Sequence, residues 1–205
     1  MVIQELKPSQ QIQGQWLAVL EDGSVLRLGE KEMVDFSLYA GKELSEEEAE
    51  KLLASLRYSS FQEKALLLLG RRPFSRREVE RKLEDLGASQ EEYSAVCDRL
   101  EELNFLDDGR YARQVVRHYA AKGYGVRKLR DELYRRGVPR QLWEEAMEEA
   151  ETAASAIDAF LEKKLRGSRE AKDLKKASDA LARRGYTWSE INEALRRYGA
   201  EPEEP

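Results

Sequence analysis

The spacing of apolar residues along this 205-residue chain changes once, near residue 45. Before that point, residues 11–20 and 24–28 read as two strands joined by Asp22-Gly23, a tight hairpin turn. An isolated hairpin is only marginally stable in water, so it must pack on the helices behind it, with Trp16 as the anchor. A short helix over 31–39 follows, stopped by Gly41. From Ser45 onward the pattern is helical throughout. Ser45 with Glu48, Ser75 with Glu78, Ser89 with Glu92 and Thr187 with Glu190 each form a capping box, in which two side chains satisfy amides that the first turn leaves unpaired.

The helical part repeats. Val79, Leu83, Gly87, Ala88, Tyr93 and Val96 shift by 50 onto Leu129, Leu133, Gly137, Val138, Trp143 and Ala146, and by a further 48 onto Ala177, Leu181, Gly185, Tyr186, Ile191 and Ala194. Each unit has an apolar i, i+4 pair, then a glycine, an apolar residue and a second helical stripe. The glycine supplies the left-handed backbone that closes a helix at low cost. Ser75, Gly125 and Asp173 align as helix N-caps. Preceding helices over 46–69, 108–121 and 152–165 complete three-helix modules. A module of this size cannot bury both faces alone, so the modules stack. The expected fold is mainly α: tandem three-helix repeats forming an elongated curved rod, with a small N-terminal β-hairpin. Its divisions are 1–44, 45–107, 108–151, 152–200 and a tail at 201–205.

Composition supports wide solvated helix faces: 37% of residues are charged and 41% apolar. The longest purely aliphatic run, 65–69, is far short of the ~20 residues a membrane span needs. Residues 1–10 lack a basic start followed by an apolar stretch, so no secretory signal is expected and the expected location is the cytoplasm. A single cysteine, Cys97, excludes an internal disulfide and a cysteine-based zinc site.

The formal net charge of −5 argues against nucleic acid only as an average. Residues 110–140 hold ten Lys or Arg against two acids, a local excess of +8, whereas Glu144, Glu145, Glu148, Glu149 and Glu151 make the next stretch acidic.

Little in the chain points to catalysis. The one histidine, His118, lies inside a helix between Arg117 and Tyr119, and Cys97 falls in the apolar stripe of Tyr93, Val96 and Leu100. Gly123-Tyr124-Gly125 lacks the spacing, lysine and preceding strand of a phosphate loop. Asp107-Asp108 stand at a helix start, where carboxylates cap amides. No enzyme activity, catalytic residue, metal or other cofactor is expected.

The positive signal is basic surface. Arg110, Arg113 and Arg117 lie within about 60° on one helix, opposite Tyr111, Val115 and Tyr119, and are expected to face solvent together. Lys122, Arg127, Lys128, Arg130, Arg135 and Arg136 continue the patch. Arg71, Arg72, Arg76 and Arg77 form a smaller copy in the first module, and Lys163, Lys164, Arg166, Arg169, Lys172, Lys175 and Lys176 occur in the third. A bland account also applies: Arg135-Arg136 and Arg183-Arg184 precede closing glycines, where cations suit a helix C-terminus, and arginines pair with neighbouring glutamates. Phosphate contacts of this kind position a nucleic acid without reading its sequence.

Two stretches carry a resemblance. Phe74-Ser75-Arg76-Arg77-Glu78-Val79-Glu80-Arg81-Lys82-Leu83 resembles the start of the RecX family, regulators of the RecA recombinase. Leu103-Asn104-Phe105-Leu106-Asp107-Asp108-Gly109-Arg110-Tyr111-Ala112 resembles that family's junction between modules, and Lys122-Gly123-Tyr124-Gly125 with Leu133 and Arg136-Gly137-Val138 its second module. The likeness covers about 65–198. It is weaker in the third module, where Lys172 stands at the position of Phe74 and Tyr124. The resemblance implies tandem three-helix modules that bind RecA, lodge along the groove of the RecA–DNA filament, and dampen strand exchange, ATPase and coprotease activity. It implies roles in homologous recombination, DNA repair and the SOS response. The expected partners are RecA, its filament and DNA directly, single- or double-stranded, with the chain acting as a monomer and no membrane involved. Two other readings stay open: a DNA-binding repeat protein or transcriptional regulator acting without RecA, and a scaffold whose acidic helices take a basic partner.

Overall fold

A computed structural model describes residues 1–150 and 153–199. Glu151, the expected helix start at Thr152 and the expected tail lie outside the described residues. Three strands, β1 (Ile3–Pro8), β2 (Gln15–Leu20) and β3 (Val25–Gly29), form an antiparallel sheet in the order β1-β2-β3. The expected hairpin is thus β2–β3, and β1 is an addition. Its sequence hides it: Ile3 and Leu6 are three apart, a bulge lies between Ile3 and Glu5, and Pro8 ends an edge strand. β2 starts at Gln15, not at residue 11, because Gly14 takes a left-handed turn (φ +79°).

Helix α1 (Glu30–Asp35) ends earlier than the expected residue 39, since Ser37 turns the chain at φ +46°. Its buried Glu32 accepts hydrogen bonds from Ser59 (2.7 Å), Ser55 (3.2 Å) and the Gly29 amide (3.1 Å). Burial pushes its pKa up, but those donors outweigh it and the carboxyl sits below its ordinary value. This bond set ties α1 to α2 (Glu46–Leu69), on whose Ala49 and Leu52 the buried sheet face of Ile3, Ala18, Leu20 and Leu28 packs. Trp16 packs half-buried against the same core.

Three modules follow. The first is α2 with α3 (Arg76–Asp85) and α4 (Gln90–Glu102). The second is α5 (Asp108–Ala121), α6 (Val126–Arg135) and α7 (Trp143–Met147), the last flanked by 3₁₀ turns. The third is α8 (Ala153–Leu165), α9 (Ala171–Arg183) and α10 (Trp188–Arg197). Each has its own buried cluster, in which the repeated pairs Val79/Leu83, Leu129/Leu133 and Ala177/Leu181 are fully buried. Truncating one of these leucines to alanine would cost ~2–5 kcal/mol.

All four capping boxes form, with both reciprocal bonds in place. The closing glycines Gly87, Gly137 and Gly185 are left-handed, at φ +87°, +69° and +88°. One cap is corrected. Asp173 is not an N-cap: α9 begins at Ala171 with Glu170 before it, and the Asp173 carboxylate instead accepts from the Ser168 hydroxyl at 2.9 Å.

Candidate nucleic-acid interface

Helix ends leave backbone donors and acceptors unpaired, and successive modules satisfy one another through them. The Ser75 hydroxyl at the start of α3 donates to the Arg136 carbonyl at the end of α6. One module later, the Gly125 and Arg127 amides at the start of α6 donate to the Arg184 and Gly185 carbonyls at the end of α9, at 2.9 and 3.1 Å. The carbonyl end of each later helix therefore meets the amide end of the earlier one, an arrangement that also aligns their dipoles. Approach is close enough to require glycine. A Cβ on Gly137 would lie 2.6 Å from the Arg77 side chain, and one on Gly185 would lie 2.5 Å from the Lys128 nitrogen.

This contact has two consequences for charge. The amide ends of α3 and α6, otherwise ready anion sites, face carbonyls, so at those two helix starts a polyanion must be met by side chains. Basic residues of neighbouring modules also converge: Arg77 meets the Arg135-Arg136 end of α6, and Arg127 and Lys128 meet the Arg183-Arg184 end of α9. Arg184 packs 4.7 Å from the Phe160 ring centroid and reaches back to the Gly123 carbonyl.

The thirteen basic residues singled out from sequence divide sharply by partner. Arg76 is half-buried and bonded to Glu80 (2.9 Å), Asp98 (2.7 Å) and Glu101 (2.6 Å). Burial works to lower its pKa, but these carboxylates raise it above the ordinary arginine value. Arg72 lies over the Phe74 ring at 3.5 Å and pairs with Glu78 at 3.2 Å; Arg77 pairs with Glu80 at 3.2 Å. Lys128 (2.9 Å), Arg135 (3.5 Å) and Arg136 all converge on Glu132, whose side chain is only 6% exposed. Burial pushes the Glu132 carboxyl up, yet Lys128 and Arg136 overcome it and bring the pKa to about 2.

Arg113 and Arg117 were expected to face solvent with Arg110, with pairing to neighbouring glutamates as the other account. Their side chains stay 36% and 66% exposed, and Arg113 pairs with Glu145 at 2.6 Å and Arg117 with Glu149 at 3.1 Å. The basic and acidic stretches touch each other, because α5 packs against α7 and the turn after it. Arg71, Arg110, Lys122, Arg127 and Arg130 are exposed and have no carboxylate partner among the described residues. Arg110 lines a groove with Leu69, Phe74, Phe105 and Gln114, and donates to the Asn104 carbonyl at 3.2 Å.

The remaining candidates behave as structural residues. Asp107 caps α5 through the Arg110 amide at 2.8 Å, and Asp108 accepts the Arg76 amide of the preceding module at 2.8 Å. Burial pushes Asp108 up and also lifts the Cys97 thiol to about 12. His118 is exposed and lies edge-on to Tyr119. Among the described residues no group of His, Cys, Asp and Glu is placed to hold a metal, and no helix is long and apolar enough to cross a membrane.

Sequence reasoning passed over Tyr134 and did not place Arg183 in the basic surface. Tyr134 is 67% exposed on α6. The signal was available, since an aromatic residue directly after Leu133 cannot share the Leu129/Leu133 stripe. Arg183 could not be found this way, because its neighbours belong to another module.

Comparison with known proteins places this arrangement. Residues 63–100 match the model described as RecX, first three-helix domain, and residues 107–147 match that described as RecX, second three-helix domain. The chain is 38% identical over 135 residues to a protein of Prosthecochloris aestuarii named Regulatory protein RecX, covering 64% of this chain and 89% of that one. A Vibrio parahaemolyticus protein of the same name is 34% identical over 139 residues, 66% of this chain and 90% of the other. Among solved structures, a regulatory protein RecX superimposes with a TM-score of 0.77 at 19% identity, over 96% of this chain and 98% of that chain. RecX from Lactobacillus salivarius gives 0.65 at 20% identity, over 70% and 97%. These two likenesses concern the fold; with the sequence matches, they lead to one conclusion: the chain belongs to the RecX family of regulatory proteins.

Proposed function

We propose that this protein is a non-enzymatic regulator of the RecA recombinase. It binds RecA and the RecA–DNA filament in the cytoplasm as a monomer and lowers recombinase, ATPase and coprotease activity, acting in homologous recombination, DNA repair and the SOS response. The observation that carries this reading is membership of the RecX family over most of a relative's length. A tandem helical scaffold with exposed, uncommitted cations suits it, because such a scaffold spans adjacent protomers while its cations approach the phosphates.

The test is RecA ATP hydrolysis on single-stranded DNA, with this protein titrated from sub-stoichiometric to stoichiometric amounts. A fall in rate, with no hydrolysis by the protein alone, is the expected result. No effect on a RecA from the same source would refute the regulator reading. A DNA-binding protein that acts without RecA would then be the reading to pursue.

A further inference from the structure

The solvent face of α6 carries an aromatic residue that no packing explains. At 100° per residue, Arg127, Arg130 and Tyr134 lie within about 60° of one another, while Leu129, Glu132 and Leu133 turn to the interior. Tyr134 is 67% exposed. It is absent from the side chains that pack on the second module's core. Arg127 and Arg130 are exposed and carry no carboxylate partner among the described residues. Arg183, also exposed, ends α9, and the terminal carbonyls of that helix bond the Gly125 and Arg127 amides. The third module therefore adds a cation at the amide end of the strip. Two acids border it: Asp131, about 40° beyond Arg127 on the side away from Arg130, and Glu144, which lines a shallow pocket with Arg130 and Arg140.

We infer that this face of α6, extended by Arg183, binds single-stranded nucleic acid, with Tyr134 as the platform for a base and the three arginines on flanking phosphates. An exposed ring interleaved with cations suits a strand whose bases are free to stack, since every base offers a π-face. A duplex keeps its bases stacked inside and offers such a ring nothing beyond phosphates. Arg127 and Tyr134 are seven residues apart, about 10 Å along the helix, which matches a footprint of a few nucleotides. The inference deepens the proposed function by locating its DNA contact, and it rests on that reading only for the presence of DNA.

The experiment uses the full chain without RecA, so its failure is separate from failure of the ATPase test. Binding of a labelled 20-mer oligothymidine and of a duplex of equal length is followed by fluorescence anisotropy across a salt series. Tyr134→Ala is expected to weaken oligothymidine binding about ten-fold, to leave duplex binding unchanged and to keep the thermal midpoint of an exposed-site variant. Tyr134→Phe is expected to bind like the wild type, because stacking does not need the hydroxyl. The Arg127→Ala/Arg183→Ala variant is expected to flatten the slope of log K against log salt by about 1.4, from ~0.7 per single-strand phosphate contact. Wild-type protein that ignores oligothymidine, or a Tyr134→Ala variant that binds it unchanged or loses both ligands equally, would overturn the inference.

Discussion

Replacing Glu132 by glutamine tests how the basic stretch of the second module is held. Its carboxylate is almost wholly buried and takes Lys128 on one oxygen and Arg136 on the other. Arg136 also donates to the Tyr119 hydroxyl at 3.1 Å, and its carbonyl receives Ser75 of the first module. A fall in pKa from the ordinary 4.5 to about 2 corresponds to about 3 kcal/mol at neutral pH. Lys128 and Arg136 remain 29% and 24% exposed, so water screens part of this, and a loss of about 2–3 kcal/mol is expected. For a chain of this length that lowers the thermal midpoint by about 5–10 °C. The pH dependence provides the sharper check. A carboxyl with a depressed folded pKa contributes its stability above about pH 4.5 and loses it as pH falls towards 2. The gap between wild type and Glu132→Gln, measured by circular dichroism melts, should be full at pH 7 and narrow steadily below pH 4.5. A gap under 1 °C at pH 7, or one that stays constant down to pH 3, would refute this account of the cluster.

Three further outcomes follow from the same contacts. The Glu145→Gln/Glu149→Gln variant releases Arg113 and Arg117, so oligothymidine affinity at low salt should rise several-fold and the salt slope should steepen by up to about 1.4; unchanged anisotropy titrations would show that these pairs do not compete with a polyanion. Gly185→Ala forces a Cβ against the Lys128 backbone and should cost more than 2 kcal/mol, whereas Gly87→Ala, with nothing within 4 Å, should cost only the ~1–2 kcal/mol of its left-handed backbone. Hydrogen exchange at the Gly125 and Arg127 amides should accelerate in the first variant only. Cys97, fully buried with its thiol pushed up to about 12, should resist a disulfide-forming thiol reagent at pH 8 until urea unfolds the first module; rapid labelling of the native protein would contradict its burial.

Much of the helical part was legible because local signals agree with the packing. Ser75 with Glu78 starts α3, Val79 and Leu83 face its core, and Gly87 closes it; each step is decided within one turn of helix. Signals that depend on distant partners were not legible. β1 is stabilised by pairing with β2, not by its own alternation, so Ile3 and Leu6 at a spacing of three gave no strand pattern. Asp173 aligned with Ser75 by position, yet α9 begins at Ala171, three residues further toward its start, and Asp173 falls inside its first turn. The helical wheel of α5 placed Arg113 and Arg117 on one face correctly. It could not show that Glu145 and Glu149, 32 residues on in both cases, come to meet them.

Pairing between α5 and the acidic stretch after α6 reduces the basic surface open to a polyanion. A cation already paired with a carboxylate exchanges one anion for another when a phosphate arrives, so it gains little attraction. The carboxylate it leaves is freed as a new negative charge, so the net neutralisation of phosphates, and with it the release of counterions condensed on the nucleic acid, is smaller. Of the ten cations between 110 and 140, Arg113, Arg117, Lys128, Arg135 and Arg136 are in this position. The cations able to draw in a polyanion are fewer, and those on α6, Arg127 and Arg130, share its solvent face with Tyr134, with Arg127 at the end where the third module meets the second. The effective site is therefore smaller than the local excess of positive charge implies. It is also defined by the docking of modules: separating the third module from the second would remove Arg183 from the strip while leaving α6 itself intact.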